Sequence, residues 1–198
     1  MEILNPKETM QQSLMSSCSF DSYRKTLDLE TNIATDEAYQ KNFTNYYRVR
    51  RDGAWLSQYY QFMEQNKHNK DITFEEILRY LSTLEHSVRK TAKNPSGKAT
   101  SVEVSFASKM LATINADHPV WDSQVLRFLN IKVPEIGDRE EKIQMCIDMY
   151  AQLELEIAEF IKTDAGKKCV EVFDDTFPGC KDFSVYKKMD FYLWNLGK

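Results

Sequence analysis

Apolar residues recur along this chain at spacings of three and four, the period of one face of an α-helix. In TFEEILRYLSTLEHSVRK (73–90) the apolar positions are Phe74, Ile77, Leu78, Leu81, Leu84 and Val88. Thr73 stands where an N-cap belongs, and Glu76 three residues later completes a capping box. In DREEKIQMCIDMYAQLELEIAEFIK (138–162) the stripe is Ile143, Cys146, Ile147, Tyr150, Leu153, Ile157, Phe160 and Ile161. A long helix is expected there, capped by Asp138 and ending just before Gly166. Further helices are expected over roughly 20–30, 35–49, 53–66, 102–115, 123–130 and 184–195. In the last of these Ser184 is the cap, Tyr186, Met189, Leu193 and Trp194 face inward, and Lys187 and Lys188 face solvent. Strand signals are almost absent, because no Asn-Gly or Asp-Gly sits between alternating runs, although Asp52-Gly53 interrupts a helical stretch. The expected fold is therefore all-α, a compact multi-helix globular domain spanning 1–198. Residues 94–101, NPSGKATS, have loop composition and could divide two helical lobes around a cleft.

Composition agrees with a globular chain: 198 residues, 42% hydrophobic and 28% charged, are enough to bury a sizeable core. No stretch of 18 apolar residues occurs, and the N-terminal MEILNPKETMQQ lacks a basic start followed by an apolar run. Neither a membrane span nor a secretory signal is expected, and the expected location is cytoplasmic. The four cysteines, Cys18, Cys146, Cys169 and Cys180, match no CxxC spacing and are expected to be reduced, buried thiols. His68, His86 and His118 have no carboxylate or cysteine at ligand spacing, so no metal site is expected, and His118 reads as a loop residue. No cofactor is expected either, since GxxxxGK[ST] and GxGxxG are missing, and no G-x-S-x-G elbow points to a hydrolase.

Net charge is −4, but it is unevenly placed. From 79 to 109 six bases (Arg79, Arg89, Lys90, Lys93, Lys98, Lys109) stand against Glu85 and Glu103, whereas from 135 to 175 twelve acids stand against five bases. This is either one face able to hold a phosphate backbone or two solvated helix surfaces of opposite bias. In YQKNFTNYYRVRRDGAWLSQYYQFM (39–63) aromatic rings interleave with arginines, a mixture that can stack bases and hold phosphates. At helical spacing most of those rings belong to the core, which leaves Arg48, Arg50 and Arg51 as the exposed members. The candidate nucleic-acid contacts are thus Arg48, Arg50, Arg51, Arg89, Lys90, Lys93 and Lys98.

The stretch SFASKMLATINADHPVWDSQV (105–125) carries the candidate chemistry. Phe106, Ala107, Met110, Leu111 and Ile114 share one helical face, so Lys109 is expected to point away from the core, among the small residues Ser105, Ser108 and Ala112. Pro119 ends the helix, Val120 and Trp121 bury, and Asp122 is placed as the N-cap of the helix carrying Val125, Leu126 and Leu129. An outward lysine, a proline-containing turn and an aspartate opening the next helix are similar to the catalytic core of the helix-hairpin-helix DNA glycosylases, an all-α family. The resemblance implies that Lys109 attacks the sugar C1′ to form a Schiff base and that Asp122 assists it and stabilises the developing positive sugar. It also implies duplex DNA as partner, with a damaged base flipped into a pocket. The family's Gly-rich hairpin is not matched: the position reads SVEVSF, with Gly97 the nearest glycine. The alternative reading is a non-catalytic all-α binding module for DNA or a protein, in which Lys109 is a solvated lysine and Asp122 a helix cap.

Overall fold

The protein is described by a computed structural model covering residues 3, 5–14, 20–132 and 137–197. Among these residues the regular structure is ten α-helices and one two-stranded antiparallel hairpin, a mostly α-helical fold as the periodicity predicts. The chain opens with α1 (Pro6–Leu14) and α2 (Phe20–Thr26), then α3 (Glu37–Tyr47), α4 (Gly53–Asn66) and α5 (Phe74–Thr83). The hairpin β1 (Glu85–Ser87) and β2 (Lys98–Thr100) follows, then α6 (Val104–Ile114), α7 (Ser123–Phe128), α8 (Arg139–Lys162), α9 (Asp164–Thr176), a short 3-10 turn at Pro178–Cys180, and α10 (Val185–Leu196). Two units result: the first is built from Met1–Phe20 and Asn115–Lys198, the second from Asp21–Ile114. Residues 94–101 lie inside the second unit, where they form the distal half of the hairpin, and the chain passes between units at Phe20–Asp21 and Ile114–Asn115.

The second unit has a core rich in rings. Phe43, Trp55, Tyr59 and Tyr60 are buried with Met63, Ile77, Leu78, Leu81 and Met110. Burying a tyrosine requires a partner for its hydroxyl. Tyr39 donates to the Thr26 carbonyl at 2.8 Å, and Tyr59 donates to the Phe106 carbonyl at 3.1 Å. The aromatic stretch 39–63 is accordingly core, with Tyr46 and Phe62 half-buried. The Thr73 capping box forms as expected, with the Thr73 hydroxyl accepting the Glu76 N–H and the Glu76 carboxylate accepting the Thr73 N–H.

The helix expected over 73–90 is corrected at its far end. It stops at Thr83, Leu84 turns extended (φ −73°, ψ 129°), and 85–87 become a strand pairing Glu85 with Thr100, His86 with Ala99 and Ser87 with Lys98. Gly97, at φ 65°, supplies the left-handed residue that lets the chain return, and its carbonyl accepts the Val88 N–H at 2.9 Å.

In the first unit α10 packs against α1, α7, α8 and α9. Phe20, Phe173, Phe177, Phe183 and Phe191 form one aromatic cluster with ring centroids 4.8–6.2 Å apart along its contacts. Because α10 is covered on several sides, Lys187 and Lys188 do not face solvent as expected. They are 9% and 3% exposed, and each is neutralised by a carboxylate: Lys187 by Asp190 and Lys188 by Asp174, both at 2.7 Å. Cys146, Cys169 and Cys180 are buried, and burial pushes Cys169 up to about 11, which keeps it an inert thiol at neutral pH. Cys18 lies outside the described residues. None of the described helices is long and apolar enough to cross a membrane.

Asp138 caps α8 as expected, and Glu141 completes a capping box with it. The helix ends at Lys162, before Gly166 as expected, but the glycine is not what ends it. Thr163 both ends α8 and caps α9, whose Gly166 N–H its hydroxyl accepts at 3.0 Å. Gly166 is a buried residue in the first turn of α9, and a Cβ there would overlap the Phe160 carbonyl of α8. The glycine is required by close helix approach rather than by a left-handed end. Gly166→Ala is therefore expected to destabilise the first unit by on the order of 3 kcal/mol, since backbone cannot move aside as a side chain can. Urea denaturation measures this, and a change below about 0.5 kcal/mol would contradict the close contact.

Candidate nucleic-acid interface

Six exposed cations of the second unit lie on two segments, while Arg24, Lys25, Lys41 and Lys70 are exposed elsewhere on it. Arg89, Lys90 and Lys93 lie in the hairpin loop and Lys98 on β2, all four exposed. Arg48 and Arg50 are exposed in the turn between α3 and α4, where Arg48 adopts the left-handed conformation (φ 53°) that ends α3. None of these six forms an ion pair with a carboxylate among the described residues, whereas Arg79 and Lys67 of the same unit pair with Glu75 and Glu64. A cation without a partner keeps its full attraction for an external anion.

The two segments are tied together by Asp52. Its Oδ1 accepts the Trp55 N–H at 3.0 Å, capping α4, and its Oδ2 accepts the Ser87 N–H of β1 at 2.6 Å. The Trp55 amide foremost, then the Ser87 amide and hydroxyl, with Lys98 adding its charge, hold the carboxyl down at about 2, so it is ionised throughout the neutral range.

Arg51 differs from its neighbours. Its guanidinium grips Glu103 with Nε at 3.0 Å and Nη2 at 2.7 and 2.9 Å, and it lies 5.1 Å from the Phe106 ring. Glu103 is only 6% exposed, so Arg51 neutralises a buried carboxylate and is a structural cation of the second unit.

Lys109 belongs to the second unit and Asp122 to the first. The expectation of an outward Lys109 is corrected: it is buried (6% exposed), as are its small neighbours Ala112 at 6% and Ser108 at 0%. Every residue of α6 from Ala107 to Ile114 is buried, so no side of its last two turns is left to water. The Lys109 amine lies 5.5 Å from the Phe106 ring. Asp122 caps α7 as expected, with Oδ1 accepting the Gln124 N–H at 2.9 Å, and it is half-buried.

The loop leading to Asp122 is fixed within the first unit by three side chains. Ser184 donates to the Ala116 carbonyl at 2.6 Å, Tyr150 donates to the Pro119 carbonyl at 2.8 Å, and His118 Nδ1 lies 2.5 Å from Glu154 Oε1. Val120 and Trp121 are buried between those anchors and the cap. Among the described residues no group of His, Cys, Asp or Glu side chains is arranged to hold a metal ion.

Sequence reasoning missed the hairpin and Asp52. The available signal was the aspartate directly before Gly53 and Trp55, an N-cap position that reads as a mere interruption when only the apolar period is followed. Comparison with protein-family models, curated proteins and solved structures finds no match.

Proposed function

We propose that this protein binds duplex DNA, and that the β1–β2 hairpin and the Arg48–Arg50 turn make the contact. The observation that carries this reading is the exposure of Arg89, Lys90, Lys93 and Lys98 on one hairpin, none of them ion-paired among the described residues and only Lys98 sensing a carboxylate, that of Asp52. Phosphate neutralisation releases condensed counterions, so affinity falls with salt by a slope of about −0.9 per contacted phosphate. Fluorescence anisotropy with a labelled duplex at several salt concentrations is expected to give a slope of about −3.6 or steeper if the four hairpin cations engage. Absence of binding at low salt would turn the proposal towards a protein partner.

A second reading, removal of a damaged base, is favoured by one observation. Lys109 is 6% exposed, so it is desolvated as a lysine nucleophile must be, and a sugar reaches its amine only if the surroundings of α6 open. Asp122 keeps its second carboxylate oxygen outside the capping bond, available to a cationic sugar. On this reading the deprotonated Lys109 amine bonds to C1′ as the C1′–base bond breaks and the base leaves with a proton. The C1′–O4′ bond then opens to give the imine, which allows strand cleavage by elimination of the 3′ phosphate. It requires the Lys109 amine and the Asp122 carboxylate to reach the same sugar.

A further inference from the structure

The basic segments of the second unit contain a carboxylate, Asp52, where an acid would ordinarily weaken phosphate binding. Both of its oxygens are occupied by backbone N–H groups, one on α4 and one on β1, 32 residues further along the chain from the first. It is followed by the helix that it caps and preceded, two and four residues upstream, by Arg50 and Arg48. One short side chain thus joins the arginine turn to the loop-side end of the hairpin's strands, where Ser87 pairs with Lys98.

The hairpin itself offers little beyond charge. No Phe, Tyr or Trp lies between Glu85 and Thr100, and the one ring there, His86, is half-buried on β1 beside Ser101, so the hairpin loop has no platform on which an unpaired base could stack. The Asn94 amide, the group best suited to reading an adenine edge, is consumed internally: it donates to the Lys98 carbonyl at 2.8 Å and accepts the Ser96 hydroxyl at 2.7 Å. The stem of Lys90 lies across Gly97, which leaves its charged end at the surface.

We infer that Asp52 is a positioning residue for DNA binding: it locks the hairpin to the Arg48–Arg50 turn, so that both sets of cations meet one duplex backbone, which is gripped without regard to base sequence. This rests on the DNA-binding reading proposed above. The local geometry gives the inference an unusual sign. If Asp52 acts only as a negative charge near phosphates, its removal strengthens binding. If it positions the hairpin, its removal weakens binding despite the gain in positive charge.

The experiment uses the full chain and the variants Asp52→Asn and Asp52→Ser. Both replacements are good N-caps, so α4 keeps its first-turn bond. The Asn amide cannot accept from both N–H groups, and Ser is too short to reach Ser87. Affinity for two equal-length duplexes of different sequence is measured across salt concentrations, and exchange of the Ser87 and Trp55 amides is followed by NMR. The expected result is about tenfold weaker binding at moderate salt, a slope shallower by about 0.9 or more, faster exchange at Ser87 but not Trp55, and similar affinity for both duplexes. Equal or tighter binding by both variants would overturn the positioning role while leaving DNA binding intact. A tenfold preference of the wild-type chain for one duplex would overturn the sequence-independent grip. A wild-type chain that binds neither duplex would remove the DNA reading and this inference with it.

Discussion

Replacing Arg89, Lys90, Lys93 and Lys98 together by alanine is expected to lower duplex affinity on the order of 10²–10³-fold near 0.1 M salt and to flatten the salt slope by about 3.6. The same change should scarcely affect folding. All four side chains are exposed and none is ion-paired among the described residues, Lys98 acting on Asp52 only through its charge. Substitutions at such positions usually stay within about 0.5 kcal/mol each. Titration and thermal melting of the same preparation separate the two effects. Unaltered affinity in the fourfold variant would mean that the hairpin is not the contact, whatever the wild-type chain binds. Arg51 does not belong in this set, although its sequence neighbours do. Its removal strands the buried Glu103 carboxylate, so any loss of binding would be mixed with loss of structure.

The second large effect concerns Lys109 and Asp122. If base removal occurs, borohydride should trap a covalent protein–DNA adduct on some damaged or abasic duplex, and Lys109→Met should abolish it. Because Lys109 is buried, this replacement is not innocuous: a change on the order of 1–3 kcal/mol is expected, so a melting curve must show that the variant is folded. Methionine preserves most of the volume and removes the nucleophile. Asp122→Asn retains an oxygen for the Gln124 N–H and should cost at most about 1 kcal/mol as a cap. On the catalytic reading it nevertheless slows base release by about 10²–10³-fold, because the charge facing the developing oxocarbenium centre is gone. A panel of oxidised, alkylated, deaminated and abasic duplexes yielding neither adduct nor free base would leave Lys109 a packed lysine and Asp122 a cap.

Helix starts were the most legible part of the sequence. Thr73 with Glu76, and Asp138 with Glu141, announce α5 and α8 through groups that satisfy backbone donors locally, so no tertiary information is needed. Helix ends were less so. Leu84 and Val88 continue the helical period beyond Thr83, yet the same residues also suit an extended chain, and the choice is made by pairing with 98–100, which lies outside any local window. Strands of three residues are too short for alternation to announce them.

The helical wheel failed at Lys109, Lys187 and Lys188 for a shared reason. It assigns a polar residue opposite the apolar face to solvent, which holds for a helix covered on one side only. The last two turns of α6 are buried all round, and α10 is flanked by several helices, so their lysines are enclosed whatever the local pattern says. Gly166 shows the complementary error: a glycine needed for close approach looks, in one dimension, like a terminator. Of the candidate interface, the cations were legible as a charge bias. Their assembly on a hairpin held by Asp52 was not, because it depends on a bond between residues 52 and 87.

The discontinuous make-up of the first unit sets an order in time. The second unit is one uninterrupted segment, so once Ile114 has left the ribosome all of its own contacts can form. The first unit cannot be completed then. Its α1, made before the second unit, packs against α9 and α10, made after it, and so waits with part of its surface uncovered while the second unit is synthesised. The two halves of the chain thus mature on different clocks: the cationic hairpin is in place early, and the helices around Asp122 close only when the C-terminal helix arrives.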